Sequence, residues 1–184
     1  MPCTLPAVLA DAAVCRRSFP SRLATDVPDT VFSAFSAALQ KAQADGSLLT
    51  ASLFRCESHL FFYAEGLNRP FTPQGLCPAL DAALLPWPPA LGETSPRPWA
   101  AMQPYFYHDI PTTAADWQQG RCPQRRRGRI ALLPPDKWCS YMEHHLRIVT
   151  EGLVEGDRWH LICVQEGVLF SYLEEPRTNV NIRH

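Results

Sequence analysis

The chain has 184 residues, of which 46% are hydrophobic and 19% are charged, a balance typical of globular domains. Its formal net charge of −1 argues against nucleic acid or a membrane surface as the main partner. No apolar run is long enough for a transmembrane helix, and no basic stretch precedes the short apolar centre of the N-terminal residues. We therefore expect neither a membrane span nor a signal peptide.

The seven cysteines are scattered along the chain and form no Cys-x-x-Cys pair. An odd number without such spacing indicates free thiols in a reducing compartment. We therefore expect a cytoplasmic protein whose cysteines are mostly buried as small hydrophobic residues. No spacing of His, Cys, Asp and Glu suggests a metal site, and we expect no cofactor.

Two pairs of stretches indicate an internal repeat. Arg22–Leu39 and Arg129–Leu146 share six identical residues, and the motif LFFYAE at Leu60–Glu65 recurs as LFSYLE at Leu169–Glu174. The order and spacing of the two matches agree closely, which favours a duplication over chance. We interpret Glu65 and Glu174 as strand ends at the rim of a sheet.

The first copy, 21–110, predicts a β-α-β-β-α-β unit of the ferredoxin-like type. An apolar run and the Pro28-Asp29 helix start are followed by a helix with a buried stripe at Val31, Phe35, Leu39 and Ala42. A hairpin turns near Glu57-Ser58. The predicted strands are Arg22–Val27, Leu48–Phe54, His59–Ala64 and Met102–Ile110, and the second helix is Cys77–Trp87.

The second copy, 129–184, predicts a strand at Arg129–Leu133, a helix and a hairpin at Trp159–Val164 and Val168–Leu173. It ends before a last helix and strand. Its helix is expected to bury Trp138, Met142, Leu146 and Val149. A helix at Leu5–Val14, within an N-terminal segment 1–20, could fill the vacant place, and 111–128 is expected to be a solvated linker between the copies.

These elements predict an α+β fold: two tandem ferredoxin-like units, the second truncated, that pack their open sheet faces as an intramolecular dimeric α/β barrel. Tyr141 and His145 are the strongest candidates for chemistry. They lie one turn apart on one helix face, where a histidine and a tyrosine can act as a proton-transfer pair. The first copy has Ala34 and Ala38 at these places.

Further residues are weaker candidates for substrate binding. Trp138 and Trp159 could pack against the apolar face of a sugar, although a core role is the commoner one for tryptophan. His160 is expected on a strand that faces the space between the sheets. Trp87 could also line a pocket if the two halves share elements.

The stretches IALLPPDKWCSYMEHHL and HLICVQEGVLFSYLEE give the second copy a resemblance to the L-rhamnose mutarotase family. The resemblance implies a dimeric α/β barrel of ferredoxin-like subunits that interconverts sugar anomers without a cofactor. By motif position, Tyr141 and His145 correspond to that family's helix pair. The implied partner is a small-molecule sugar, and a homodimer is an open alternative.

Two other functions remain open. The alanines of the first copy and the short second copy favour a non-catalytic ligand-binding or scaffold protein that kept the fold. A haem- or quinone-using monooxygenase is the third reading, because dimeric α/β barrels host such reactions and an inward histidine is present.

Overall fold

The computed structural model describes residues 9–151 and 155–181. The fold is α+β, as the sequence predicts, with antiparallel sheets and four α-helices in the described part. The chain divides into two compact units. The first comprises Met1–Met102 with Thr112–Gln119, and the second comprises Gln103–Pro111 with Gly120–His184. No helix within the described ranges combines the length and apolar character needed to cross a bilayer.

The first unit contains a three-stranded antiparallel sheet. Its elements are β1 (Val14–Arg22), α1 (Asp29–Ala44), β2 (Leu48–Cys56), β3 (His59–Leu67), α2 (Pro78–Ala82) and α3 (Ala114–Gln118). The strand order is β1-β3-β2. Helix α1 begins directly after Pro28, as predicted, and the hairpin between β2 and β3 turns at Glu57-Ser58, where Glu57 has a φ of 53°.

Helix α1 packs its apolar stripe on this sheet. Phe35 and Ala42 are buried, and Val31 and Leu39 are partly buried against the same core, so the predicted stripe is confirmed. The ring of Phe35 meets Phe62 of β3 edge-on, with centroids 5.7 Å apart. Trp99 stacks on the Phe35 ring at 6.4 Å and also lies 6.3 Å from Phe62, so the three rings form one cluster.

The first strand lies earlier than predicted, at Val14–Arg22 instead of Arg22–Val27. Its sequence, VCRRSFPSR, contains arginines and a proline, which are weak strand signals. Pro20 is tolerated because β1 is an edge strand of the sheet and pairs with β3 on one side. Pro98–Met102 runs along the other side: the N–H groups of Ala100 and Met102 donate to the carbonyls of Pro20 and Ser18, at 3.3 and 2.9 Å.

The second unit contains a four-stranded antiparallel sheet in the order β4-β7-β8-β5 and a small ribbon of β6 and β9. Its elements are β4 (Gln103–Tyr107), β5 (Arg125–Leu132), α4 (Trp138–Thr150), β6 (Glu155–Asp157), β7 (Leu161–Gln165), β8 (Val168–Glu175) and β9 (Asn179–Asn181). The hairpin turns at Glu166-Gly167, and both residues have positive φ, as a type I′ turn requires.

The strand predicted to close the first copy, Met102–Ile110, belongs to the second sheet. As β4 it pairs antiparallel with β7, so the prediction that it completes the first unit is wrong. The physical reason is that Pro98–Met102 already occupies the outer edge of β1. The second sheet thereby gains a fourth strand that the sequence of the second copy alone does not supply.

Helix α4 faces the sheet with a different stripe from the predicted one. Trp138, Tyr141 and Ile148 pack against the core of Phe106, Ile162 and Val164, whereas Met142 and Leu146 are 44% and 64% exposed. The prediction that Met142 and Leu146 are buried is therefore wrong. Nothing is described of the Val149 side chain. Aromatic residues on β4 form the floor that Tyr141 and His145 contact.

Each unit buries one glutamate beside a tyrosine, so Glu65 and Glu174 are not rim residues as predicted. The hydroxyl of Tyr63 donates to Glu65, and that of Tyr172 donates to Glu174, both at 2.6 Å. In the second unit, Arg121 donates to Glu174 from Nε at 3.0 Å and from Nη2 at 2.6 Å. The repeated motif thus places the same buried carboxylate in both sheets.

Three smaller expectations also change. Of the predicted N-terminal helix, residues 5–8 lie outside the described residues, 9–11 form a turn, and Val14 already belongs to β1. The predicted linker contains α3, whose Trp117 is buried, and the first half of β5. Among the described cysteines, only Cys77 and Cys163 are buried, so the prediction of mostly buried thiols is wrong.

Phe35 provides a test of the first core. Replacing Phe35 by alanine should lower the free energy of unfolding by about 3–5 kcal/mol, because the ring is fully buried between Phe62 and Trp99. Phe32, one turn earlier and only partly buried, is the matched control and should cost less than about 2 kcal/mol. Urea denaturation measures both, and equal losses would contradict this packing.

Candidate functional site

A half-open cavity of about 330 Å³ lies within the second unit, between α4, the sheet and the β6–β9 ribbon. Its wall combines three histidines with charged and apolar residues. The lining residues are Phe106, His108, Arg129, His145, Ile148, Glu155, Gly156, Asp157, His160, Ile162, Leu173, Arg177 and Asn179. A small concave site with a few convergent polar groups is the usual form of a ligand pocket.

His145 is held by its own helix. Its Nδ1 lies 3.0 Å from the carbonyl oxygen of Tyr141, one turn earlier. A carbonyl only accepts, so Nδ1 carries the proton of the neutral ring. The remaining nitrogen, Nε2, is then a hydrogen-bond acceptor on a residue that lines the cavity.

His108 is held in the opposite way. The backbone N–H of Asp157 donates to His108 Nδ1 at 3.0 Å, and the Asp157 carbonyl lies farther from the same nitrogen, at 3.3 Å. Because an amide N–H only donates, the shorter contact assigns the lone pair to Nδ1 and the proton to Nε2. His108 therefore offers a donor where His145 offers an acceptor.

Burial lowers the pKa of His108, the backbone contact with Asp157 opposes that shift, and the electrostatic interactions with His145 and Arg177 lower the pKa further. The uncharged imidazole is thus the favoured form near neutral pH. The His108 ring lies edge-on to Phe106, at 4.9 Å between centroids, and 5.3 Å from the ring of His160.

Gly156 explains how His108 approaches the β6 strand so closely. A Cβ atom at position 156 would lie 2.6 Å from both Cβ and Cδ2 of His108, well inside contact distance. The φ of Gly156 is not positive, so it is the space and not the backbone conformation that requires glycine. The absent side chain leaves room for the imidazole against the strand.

Tyr141 stacks beside His145 with ring centroids 4.3 Å apart, and Tyr105 of β4 lies 5.6 Å from both rings. Burial and the neighbouring Tyr105 raise the pKa of Tyr141, and burial raises that of Tyr105. Both hydroxyls therefore keep their protons at neutral pH. Tyr141, Tyr105 and Phe106 together pack around the ring of His145.

The charged residues of the wall carry both signs. Arg177 Nε lies 3.9 Å from the buried carboxylate of Asp157, and Arg129 and Glu155 add a cation and an anion. Such a mixed wall, with Phe106 and Leu173 beside it, suits a neutral ligand that has both hydroxyl groups and apolar faces.

The structure brings together only part of the predicted site. His145 and His160 line the cavity, and Tyr141 lies beside His145 without contributing to the lining. Trp138 packs at the opposite end of α4, next to Leu133 and Pro134. Trp159 is buried beneath the guanidinium of Arg121, 5.3 Å from the ring centroid. Trp87 belongs to the first unit, where it pairs with Arg97.

His108 is the residue that the sequence did not single out for the site. It follows β4, and its backbone partner Asp157 is 49 residues away along the chain. Gly156, on which the imidazole packs, carries no local sign of that contact in the sequence. Across the described ranges, no three His, Cys, Asp or Glu residues are arranged to hold a metal ion.

No protein-family model, curated protein or solved structure matches this chain. The resemblance to the mutarotases therefore stays a prediction that depends on the motifs.

Acidification should destabilise the protein in part through His108. Its pKa is lower in the folded than in the unfolded state, so the unfolded chain binds more protons below about pH 6.5 and stability falls as the pH drops. His108→Asn keeps an acceptor for the Asp157 N–H and removes the titration. Thermal melts between pH 7.5 and about 5 should show a smaller loss of Tm in the variant. A parallel loss in both proteins would rule out this contribution.

Gly156→Ala should destabilise the protein by about 1–3 kcal/mol through overlap with the imidazole. The control is the same substitution in a His108→Ala background, where the added methyl group has space. The cost of Gly156→Ala should then nearly vanish, which a double-mutant cycle by urea denaturation measures. Additive costs would show that the ring is not what requires the glycine.

Proposed function

We propose that the second unit is a cofactor-independent acid–base isomerase that interconverts the anomers of a small aldose or deoxy sugar. The observation that carries the proposal is the pair of histidines with opposite proton placement on one cavity, an acceptor at His145 Nε2 and a donor at His108 Nε2. General acid–base catalysis needs one group of each kind within reach of the substrate.

The chemistry follows from these two nitrogens. In the ring-opening step, His145 Nε2 takes the proton of the anomeric hydroxyl, and the neutral His108 donates an Nε2–H hydrogen bond that stabilises the negative charge developing on the ring oxygen. The proton held by His145 then passes through a water molecule to that oxygen, which restores the neutral His145. The bond between the anomeric carbon and the ring oxygen breaks, and an open-chain aldehyde with a new hydroxyl forms. After the carbonyl turns over, the same transfers in reverse close the ring, so no net proton is gained or lost.

The proposal reassigns the acid that the motif implies. The family resemblance pairs His145 with Tyr141, but Tyr141 is not among the residues that line the cavity. Its ring stacks on His145 at 4.3 Å, and its carbonyl fixes the His145 tautomer. We therefore assign Tyr141 as a positioning residue and His108 as the hydrogen-bond donor to the ring oxygen.

The dimensions and composition of the cavity support a small sugar. About 330 Å³ lies at the lower end of ligand pockets and suits one six-membered ring better than a haem. Phe106 and Leu173 offer apolar contact to the C–H face of a sugar, and Asn179 and Glu155 offer hydrogen-bond partners to hydroxyls. The scattered cysteines of the sequence favour the cytoplasm as the place of this chemistry.

The strand, helix and hairpin order in each unit supports an internal duplication of a ferredoxin-like half. The second half alone retains a histidine on its helix, because α1 has alanine at positions 34 and 38. The packing of two such halves as an α/β barrel remains a prediction from the sequence.

A second candidate is a ligand-binding protein without catalysis. The absence of Tyr141 from the cavity wall favours it, since the helix pair of the mutarotase motif then contributes only one member. Such a protein would bind the same class of sugar, and its melting temperature would rise with ligand concentration. It would not accelerate anomer exchange.

Anomer exchange can be measured by NMR saturation transfer for a panel of aldoses and deoxy sugars. We expect a rate above background, and losses of about a hundredfold or more in His145→Gln, which removes the proton-transfer group, and in His108→Asn, which removes the imidazole donor to the ring oxygen. Tyr141→Phe should retain most of the rate, since it removes the hydroxyl and keeps the stacking ring.

His144→Gln is the matched control, because His144 neighbours His145 on the exposed side of α4. It should leave the exchange rate at the wild-type value. No acceleration for any sugar, or equal rates in the His144 and His145 variants, would exclude the isomerase. A thermal shift with sugar but no exchange would select the binding protein instead.

A further inference from the structure

The strand β5 has a free edge. Among residues 9–151 and 155–181 it is the last strand of its sheet and pairs with β8 alone. Seven of its eight residues are exposed, including Ile130 at 41% and Leu132 at 79%. A long exposed edge presents a row of unpaired backbone groups that can take another strand.

The register tells which backbone groups face outward. Leu133 donates its N–H to Gly167 just beyond the β5–β8 ladder, at 2.7 Å. Antiparallel strands exchange hydrogen bonds at every second residue. The alternate residues of β5 therefore point their N–H and C=O groups away from β8; they are Arg126, Gly128, Ile130 and Leu132.

The first unit shows the equivalent edge in use. Ser18 and Pro20 lie opposite Tyr63 and Phe61 in β1, as Gly128 and Ile130 lie opposite Tyr172 and Phe170 in β5. The carbonyls of Ser18 and Pro20 accept hydrogen bonds from the extended segment Pro98–Met102. Along β5, no such segment is present within the described residues.

The charge of the edge indicates what could bind there. Four of its eight residues are arginines: Arg125, Arg126, Arg127 and Arg129. Arg127 pairs with Glu175 at 2.8 Å and Arg126 lies 3.7 Å from Glu174, whereas Arg125 and Arg129 have no carboxylate within ion-pairing distance among the described residues. Opposite charges on neighbouring strands stabilise pairing, and like charges oppose it.

We propose that β5 binds an acidic, extended segment of a partner protein by strand addition. The partner's carboxylates would lie beside the arginines, and its apolar side chains would cover Ile130 and Leu132. A second copy of this chain fits less well, because pairing β5 with itself brings two sets of four arginines together. Nucleic acid would use the arginines but neither the free backbone groups nor the apolar end.

The test uses the full chain and a synthetic blocked peptide. The peptide alternates threonine with valine in its first half and glutamate with valine in its second half, so antiparallel addition brings the glutamates to Arg125–Arg127. Binding is measured by fluorescence anisotropy, and hydrogen exchange should show new protection of the Gly128 and Ile130 amides. A lysine-for-glutamate peptide should bind at least about tenfold more weakly.

Backbone pairing is separated from charge in two ways. A peptide N-methylated at the amides that face β5 keeps its carboxylates and should lose binding. On the protein, Ile130→Pro removes an outward N–H without touching the β8 ladder, as Pro20 does in β1, and Ile130→Thr is its matched control. The proline variant should bind at least about tenfold more weakly than the threonine variant.

The remaining outcomes overturn the proposal. Equal binding of the methylated peptide would reduce the interaction to charge alone. Binding of a mixed-sequence oligonucleotide but not of the peptide would make the arginines a nucleic-acid surface. Dimers in sedimentation experiments without peptide, abolished by Ile130→Pro, would show that a second copy occupies the edge. No peptide binding at all would leave β5 a plain solvated edge.

Discussion

The burial of one carboxylate in each sheet constrains the whole architecture. Glu65 and Glu174 are almost completely inaccessible, and an unpaired charge there would cost several kcal/mol. Each glutamate accepts from the tyrosine two residues earlier, which a strand places on the same face. A slip of one residue would turn both side chains to the opposite face together, away from Arg16 in the first unit and Arg121 in the second. The LF-x-Y-x-E motif therefore specifies register as well as hydrophobicity.

Arginine completes this arrangement in each unit, and it comes from a different part of the chain in each, from β1 in the first unit and from the residues before β5 in the second. Arg16, on β1, donates a hydrogen bond to the Tyr63 hydroxyl, and that hydroxyl donates a hydrogen bond to Glu65. Arg121 reaches Glu174 directly with two nitrogens. Each guanidinium also lies over a buried tryptophan, Arg16 over Trp117 and Arg121 over Trp159. The sheets thus share a motif without sharing all the residues that satisfy it.

The candidate site depends on the strand that the second unit receives from the middle of the chain. Tyr105 and Phe106 of β4 support Tyr141 and His145, and His108 follows directly after. Without β4, the inner face of α4 would lack its aromatic floor. These contacts also explain the orientation of α4. The aromatic side of the helix packs against the two rings of β4, and Met142 therefore faces solvent.

Local patterns were enough to predict the elements whose signals are local. The proline-aspartate start and apolar period identified α1, and short polar turns identified both hairpins. The spacing of Tyr141 and His145 correctly predicted that their rings are neighbours. The position of β1 was predicted wrongly, because its arginines and proline break the apolar pattern by which a strand is recognised. The partner of β4 and the contact of His108 with Asp157 depend on pairing between distant segments, which no periodicity reveals.

Neither unit is a continuous piece of chain. Along the chain, Gln103–Pro111 belongs to the second unit, and the next segment, Thr112–Gln119, belongs to the first. The N–H groups of Ala114 and Ala115 in α3 donate hydrogen bonds to the carbonyls of Ala12 and Ala10. A simple tandem array could be divided into two complete parts by one cut. Here every single cut leaves one part without a strand or a helix that it needs. End-to-end joining of two complete copies would not by itself give this interleaved arrangement, in which each unit contains two separate stretches of the chain.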